Sequence, residues 1–128
     1  MDDALFTCRP RRQRWLTLSS LTTEVVDAAN GEVVAVARKA AAPLIADVLE
    51  RAAAGERWAT PPYRLYHANR HLALDRPRAV VRLTAGDSVV VAEARDEATA
   101  ERIAELLSRA EWPKAAAKNR GRIRAGWW

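Results

Sequence analysis

The sequence has a single cysteine, Cys8, so no intramolecular disulfide can form and the fold cannot rest on one. It holds only five glycines, and none of them builds a phosphate-cradling loop or a nucleophile elbow. There is no apolar run long enough to cross a bilayer, and the first eight residues, which include Asp2 and Asp3, lack the apolar core of a secretory signal. Lysine is scarce, three against eighteen arginines; with the abundance of alanine this reads as a high-GC coding bias more than as selection for guanidinium chemistry. Collagenous, disulfide-stapled and membrane-spanning classes are excluded on these grounds, and a reducing cytoplasm is the expected compartment.

What is present is a chain of 128 residues, 49% hydrophobic and 29% charged, which fits one soluble globular domain. A chain of this size buries roughly two-thirds of the surface that its unfolded state exposes, so no metal or disulfide is required for a core. Its charge is unevenly placed. The last sixteen residues carry five cations and no acid, which equals the net charge of +5 for the whole chain, so the remainder is neutral as a unit. A smaller basic cluster, Arg9, Arg11, Arg12 and Arg14, runs into Trp15 near the amino end.

Two β-branched runs, residues 21–28 and 32–38, flank Asn30-Gly31, a dipeptide that tolerates positive φ at both positions and is the strongest short hairpin signal. An amphipathic helix follows over Ala40–Ala54, with Leu44, Ile45, Val48, Leu49, Ala52 and Ala53 at helical spacing, Pro43 in the first turn and Gly55 just past the end. The order then repeats: strands over Ala79–Thr84 and Ser88–Ala94 around Ala85-Gly86-Asp87, then a helix from about Asp96 to Glu111, stopped before Pro113. Leading strands are expected at Arg14–Ser19 for the first hairpin, and at Tyr63–His67 with His71–Leu74 for the second.

The halves also match residue by residue. Val33, Val34, Ala35, Ala37 and Arg38 equal Val90, Val91, Ala92, Ala94 and Arg95, and after a one-residue insertion Ala42, Ile45, Ala46, Leu49, Arg51 and Ala52 equal Ala100, Ile103, Ala104, Leu107, Arg109 and Ala110. The reading is an α+β fold of two pseudo-repeated β-hairpin–helix units (ββα or βββα), about 14–58 and 63–112, forming one antiparallel sheet with both helices on one face. Residues 1–112 are then a single domain and 113–128 a basic tail ending in two tryptophans. Such an arrangement leaves the other sheet face, or its edge, free for nucleic acid, a peptide or a second copy.

Catalytic and metal chemistry find little support. His67 and His71 would share a helix face as a zinc pair requires, but Tyr63–Leu74 alternates like a strand, which holds a four-residue spacing far apart, and no Glu follows His67; they read as surface or half-buried histidines. Cys8 lies beside arginines able to lower a thiol pKa, yet no spacing nominates a base, so it reads as a bystander. Neither paired carboxylates nor a metal-ligand cluster appear, and no cofactor is implied.

The carboxyl tail is the least ordinary stretch. Lys118, Arg120, Arg122 and Arg124 precede Trp127 and Trp128, which supplies cations for phosphates and aromatic rings for base stacking. The leading expectation is a small non-enzymatic nucleic-acid-binding protein, contacting phosphates through those four cations and through Arg9, Arg11, Arg12 and Arg14, with Trp127 and Trp128 stacking or wedging. The alternative is a protein-interaction or assembly module, a homo-oligomer or a phage structural or host-directed factor, whose termini anchor on a partner subunit. A membrane surface is disfavoured, since the tail is short and holds one aliphatic anchor, Ile123.

Overall fold

The structure, a computed structural model, describes residues 4–12, 20–62, 64–71, 78–84 and 89–124, with the backbone alone at 71, 78 and 114–124. Among these residues three strands, β1 (Phe6–Pro10), β2 (Thr23–Asp27) and β3 (Val33–Ala37), lead into α1 (Ala41–Ala53). Three more, β4 (Tyr66–His71), β5 (Arg78–Leu83) and β6 (Val89–Ala94), lead into α2 (Glu97–Arg124). All six form one antiparallel sheet in the order β1-β2-β3-β6-β5-β4. The chain is therefore α+β, a six-stranded antiparallel sheet with two helices, as the sequence implied.

Local chemistry explains the elements. In the β2–β3 turn, Gly31 takes φ 73°, while the Asp27 and Asn30 side chains accept the N–H groups of Ala29 and Glu32, each at 2.9 Å. Helix α1 buries Ala42, Ile45, Val48 and Leu49 along one stripe. It ends where Gly55, at φ 85°, donates to Ala52 and Glu56 donates to Arg51, both at 3.0 Å, the paired bonds of a Schellman ending. Asp96 caps α2 by accepting the Thr99 N–H at 2.7 Å, and hydrogen bonding from the Thr99 hydroxyl, then from that N–H, holds the Asp96 carboxyl below its ordinary value.

Strands β3 and β6 meet at the centre of the sheet, Ala35 opposite Ala94, Val36 opposite Glu93 and Ala37 opposite Ala92. On either side of this seam the ladder slips once. Val34 has no partner between Val33, opposite Val26, and Ala35, opposite Val25; Val91 has none between Val90, opposite Arg82, and Ala92, opposite Val81. The carbonyls of these two bulge residues close the seam, Val91 accepting the Arg38 N–H at 2.9 Å and Val34 the Arg95 N–H at 3.0 Å.

Both helices lie on one face. Ile45, Val48 and Leu49 of α1 and Ile103, Leu106 and Leu107 of α2 share a single core cluster with Val25, Val81 and the four seam alanines, whose small side chains let the helices approach the sheet closely. On the opposite face Leu21, Val26, Val33 and Val36 make a second, smaller cluster. The row Glu24, Val36, Glu93 and Val80 across that face is fully buried, so its midline is not the free surface that the sequence left open.

Three expectations need adjusting. The strand that pairs with β2 is Phe6–Pro10, upstream of Arg14–Ser19, which lies outside the described residues. The second leading strand is continuous over Tyr66–His71 instead of divided around residue 69. Most importantly, α2 does not stop before Pro113 but runs through it to Arg124. Proline removes one helical hydrogen bond, but its φ is helical, no glycine C-cap precedes it, and Ala115, Ala116 and Ala117 are the best helix formers.

The far end of the packed part of α2 is tied to the sheet through Tyr66. Its backbone N–H donates to the Ser108 hydroxyl at 3.0 Å and its phenol donates to the Glu111 carboxylate at 2.5 Å. Burial, then the Glu111 contact, push the Tyr66 phenol well above its ordinary value. The folded state therefore holds this proton more tightly than the unfolded one, so its contribution is complete below about pH 10 and is lost as pH rises beyond that. Urea unfolding from about pH 8 to about pH 11 should show stability falling at the alkaline end, and Tyr66→Phe should flatten that fall. An unchanged alkaline slope in the variant would contradict the assignment.

Candidate nucleic-acid interface

Among the described residues, Arg9, Arg51, Arg64, Arg70, Arg95 and Arg109 of the body pair with carboxylates. Arg9 Nε donates to Glu24 Oε1 at 2.7 Å, and the Glu24 side chain is 0% exposed, so this pair neutralises a charge inside the fold. The Arg12 N–H donates to the other Glu24 oxygen at 2.8 Å, and Arg11 Nη1 donates to the Leu21 carbonyl at 3.1 Å. Of the amino-terminal cluster, Arg9 and Arg11 thus brace the β1–β2 end of the sheet, while the Arg12 side chain is exposed and Arg14 lies outside the described residues.

Elsewhere the pattern is the same. Arg64 pairs with Glu101 at 2.5 Å, Arg70 with Glu97, Arg95 with Glu32 at 3.1 Å, and Arg109 with Glu105 at 3.0 Å. Arg51 holds Glu56 at 2.6 Å and Asp47 at 3.3 Å, and its guanidinium stands 4.9 Å from the centre of the Trp58 ring. These pairs are largely solvent-exposed and add little stability individually. Their consequence is electrostatic: these six cations are compensated locally, and residues 1–112 carry as many acids as bases.

Helix α2 is different along its length. Its first half carries Glu97, Glu101, Glu105 and Glu111; after Glu111 it carries Lys114, Lys118, Arg120, Arg122 and Arg124 and no acid. Acids at the N-terminus and cations at the C-terminus both complement the helix dipole, which helps the long helix to form. Among side chains the structure describes, Ala110 is the last of α2 to pack on the core, and Pro113 is exposed. The helix continues for fourteen residues past Ala110, about 21 Å at 1.5 Å per residue. Lys118, Arg120, Arg122 and Arg124 are brought together on this extension, whereas Trp127 and Trp128 lie outside the described residues.

The other candidates are placed as follows. The His67 ring Nδ1 is 3.0 Å from the Thr84 hydroxyl on the sheet face away from the helices, and the His71 side chain lies outside the described residues. Among the described residues no three potential metal ligands cluster. Cys8 sits in the edge strand β1, and burial pushes its thiol up, away from the thiolate that a nucleophile needs. A cleft of about 380 Å³ between β4, β5 and the start of α2 is lined by Ala68, Ala79, Ala98 and Ala100 with the Arg70–Glu97 pair at its rim.

Sequence reasoning missed the Arg9–Glu24 pair. An acid inside the β-branched run 21–28 was the available signal, because a buried strand position tolerates a carboxylate only with a partner. It also ended the helix too early: the run Lys114–Lys118 reads as a further helical turn that Asn119 and Gly121 break, whereas the helix runs on to Arg124. No helix among the described residues is long and apolar enough to cross a membrane. No protein-family model matches the chain, and neither a curated protein nor a solved structure shows significant similarity to it.

If Arg9 is a structural cation, Arg9→Ala should cost about 2 kcal/mol of stability by removing a charged donor from the buried Glu24 carboxylate, whereas Arg12→Ala, which keeps its backbone N–H on Glu24, should be close to neutral. Urea unfolding of both variants checks this; equal, small effects would return Arg9 to the surface pool.

Proposed function

We propose that the protein binds nucleic acid without catalysing a reaction, and that the carboxyl half of α2 makes the contact. One observation carries this reading: the helix runs past Pro113 for eleven residues bearing five cations and no acid, whereas many arginines of the body are matched to carboxylates. Lys118, Arg120, Arg122 and Arg124 are the proposed phosphate contacts, with Trp127 and Trp128 following as stacking groups and Arg12 and Arg14 as auxiliary cations. A compensated body beside a concentrated cationic helix directs a polyanion to one place.

We further propose that the body is a duplicated βββα unit, and several features support this. Shifting β3 by fifty-seven residues gives β6, and under that shift the seam maps onto itself, with Val36 facing its own counterpart Glu93. The bulge residues Val34 and Val91 correspond, as do the two hydrogen bonds that their carbonyls accept. Glu50 of α1 accepts the N–H of Phe6 at the start of β1, and the corresponding Ser108 of α2 accepts that of Tyr66 at the start of β4. In this view the cationic extension is what the second copy acquired and the first lacks.

The assembly reading draws on a different feature, the two sheet edges. Among the described residues strands β1 and β4 each pair with one neighbour, which offers a row of backbone donors and acceptors that a second copy could extend. Light scattering separates the two readings. A monomer that takes up a nucleic-acid probe at low salt and sheds it at high salt supports binding, and a salt-stable oligomer indifferent to nucleic acid supports assembly.

The direct test replaces Lys118, Arg120, Arg122 and Arg124 together by Gln in the full chain. Since affinity falls with salt by a slope of about −0.9 per phosphate neutralised, the variant should bind a DNA duplex far more weakly and with a slope shallower by about 3 to 4. Thermal stability should stay close to that of the parent, because the four positions lie beyond the core. Unchanged affinity and slope would overturn the proposal.

A further inference from the structure

We propose that the edge of β4 is a self-pairing surface, on which a second copy of the chain adds antiparallel and sets its Arg70 in the alanine-lined cleft beside α2. This rests on the sheet-edge reading above and is compatible with nucleic-acid binding by the carboxyl helix.

The two sheet edges are not equivalent. Along an antiparallel strand the backbone N–H and C=O groups turn alternately toward the neighbour and away from it. On β1 the bonds from the Ala28 N–H to the Leu5 carbonyl and from the Arg11 N–H to the Thr22 carbonyl, both 2.9 Å, fix the inward set, so Phe6, Cys8 and Pro10 face outward. The Phe6 N–H donates to Glu50 at 3.1 Å and Pro10 has no N–H, so among the described residues that edge keeps only the Cys8 donor and is blunted. On β4 the bond from the Thr84 N–H to the Leu65 carbonyl, 2.9 Å, turns Tyr66, Ala68 and Arg70 outward. Tyr66 donates to Ser108, whereas the outward backbone groups of Ala68 and Arg70 are not engaged among the described residues.

Ala68 and Arg70 stand symmetrically about Asn69. With a two-fold axis at Asn69, Ala68 of each copy lies opposite Arg70 of the other, and both pairs are of the kind that exchanges two backbone hydrogen bonds. The contact is isologous, so it closes as a dimer and joins the two sheets into one.

Side chains follow the same register. Residues 66, 68 and 70 share the helix face, where Tyr66 meets Glu111 and Arg70 meets Glu97. Arg70 of the second copy, opposite Ala68, arrives at the mouth of the cleft of about 380 Å³, whose alanines are joined by the carboxylates of Glu97 and Glu101. An apolar floor beneath two carboxylates suits the aliphatic stem and guanidinium of arginine. Leaving its own partner costs Arg70 little, because the Arg70 and Glu97 side chains are 64% and 62% exposed. Each copy brings Arg64 and Arg70 with Glu97 and Glu101 to the axis, so the contact is electrically neutral. A second copy thus satisfies the backbone and the cleft in a single register.

The test uses the full chain, freed of nucleic acid and kept reduced, in sedimentation velocity. A contact of a few strand residues lies at the weak end of interface sizes, so the mass should rise from one chain toward two between about 10 and about 300 μM. Ala68→Pro removes an outward N–H from each copy without touching the β4–β5 ladder, and should weaken association at least about ten-fold with thermal stability close to that of the parent. Asn69→Cys, made together with Cys8→Ser, sets two thiols across the axis at about 4.5 Å between Cα atoms and should oxidise to a covalent dimer. His67→Cys in the same background should not, since the register holds it away from its own counterpart. Should Ala68→Pro fail to fold, the two cysteine variants decide. A chain that stays monomeric throughout and does not cross-link at position 69 would overturn the proposal and the sheet-edge reading together. An oligomer that persists in Ala68→Pro without a cross-link at position 69 would overturn the β4 surface and leave assembly through another surface standing.

Discussion

The antiparallel pairing of β3 with β6 is the contact on which the molecule depends. A three-stranded meander backed by one helix buries too little apolar surface to be stable by itself, and here two of them share one sheet through that seam. Because the seam alanines Ala35, Ala37, Ala92 and Ala94 lie under both helices, the two halves have one core and not two. The bulges at Val34 and Val91 and the carbonyls they present to Arg95 and Arg38 fix the register, since a slip by one residue would exchange the two faces of β3 and put Val36 under the helices in place of the small seam alanines.

A stable, electrically quiet body follows from this arrangement and gives the carboxyl helix its role. Glu24 is inside the sheet and takes Arg9 with it; Glu97 and Glu101 along α2 take Arg70 and Arg64. Arginines that look like a dispersed basic surface in the sequence become internal braces and rim pairs. Beyond Glu111 the helix carries five cations and no acid, and it is anchored by Ser108 and Glu111 to the first residue of β4. The proposed binding element is thus tied to the sheet at its root.

Much of this was legible in the sequence. Asn30-Gly31 gave the first turn, the spacing of Ile45, Val48 and Leu49 gave α1, and the match of Val33–Arg38 with Val90–Arg95 located the two strands that form the seam. That those two strands pair with each other was not legible, because equivalence along a chain does not specify which edges meet. The leading strand at Phe6–Pro10 was hidden by its composition: Arg9 and Pro10 look like a terminal basic cluster until Glu24 is placed opposite. Pro113 was read as a stop because proline weighs heavily in any local rule, whereas the alanines beyond it restore the helix. In the candidate site, residue identities were legible at Lys118, Arg120, Arg122 and Arg124, but their joint presentation required a helix that the sequence did not announce.

The central claim concerns where nucleic acid touches the protein, and amide chemical-shift mapping addresses it most directly. Titrating a short DNA duplex into the isotope-labelled full chain should shift the amide resonances of residues 113–124 most strongly, with those of β3 and β6 nearly unmoved. Shifts concentrated along β1, β4 or the cleft beside Arg70, with residues 113–124 unaffected, would contradict the account.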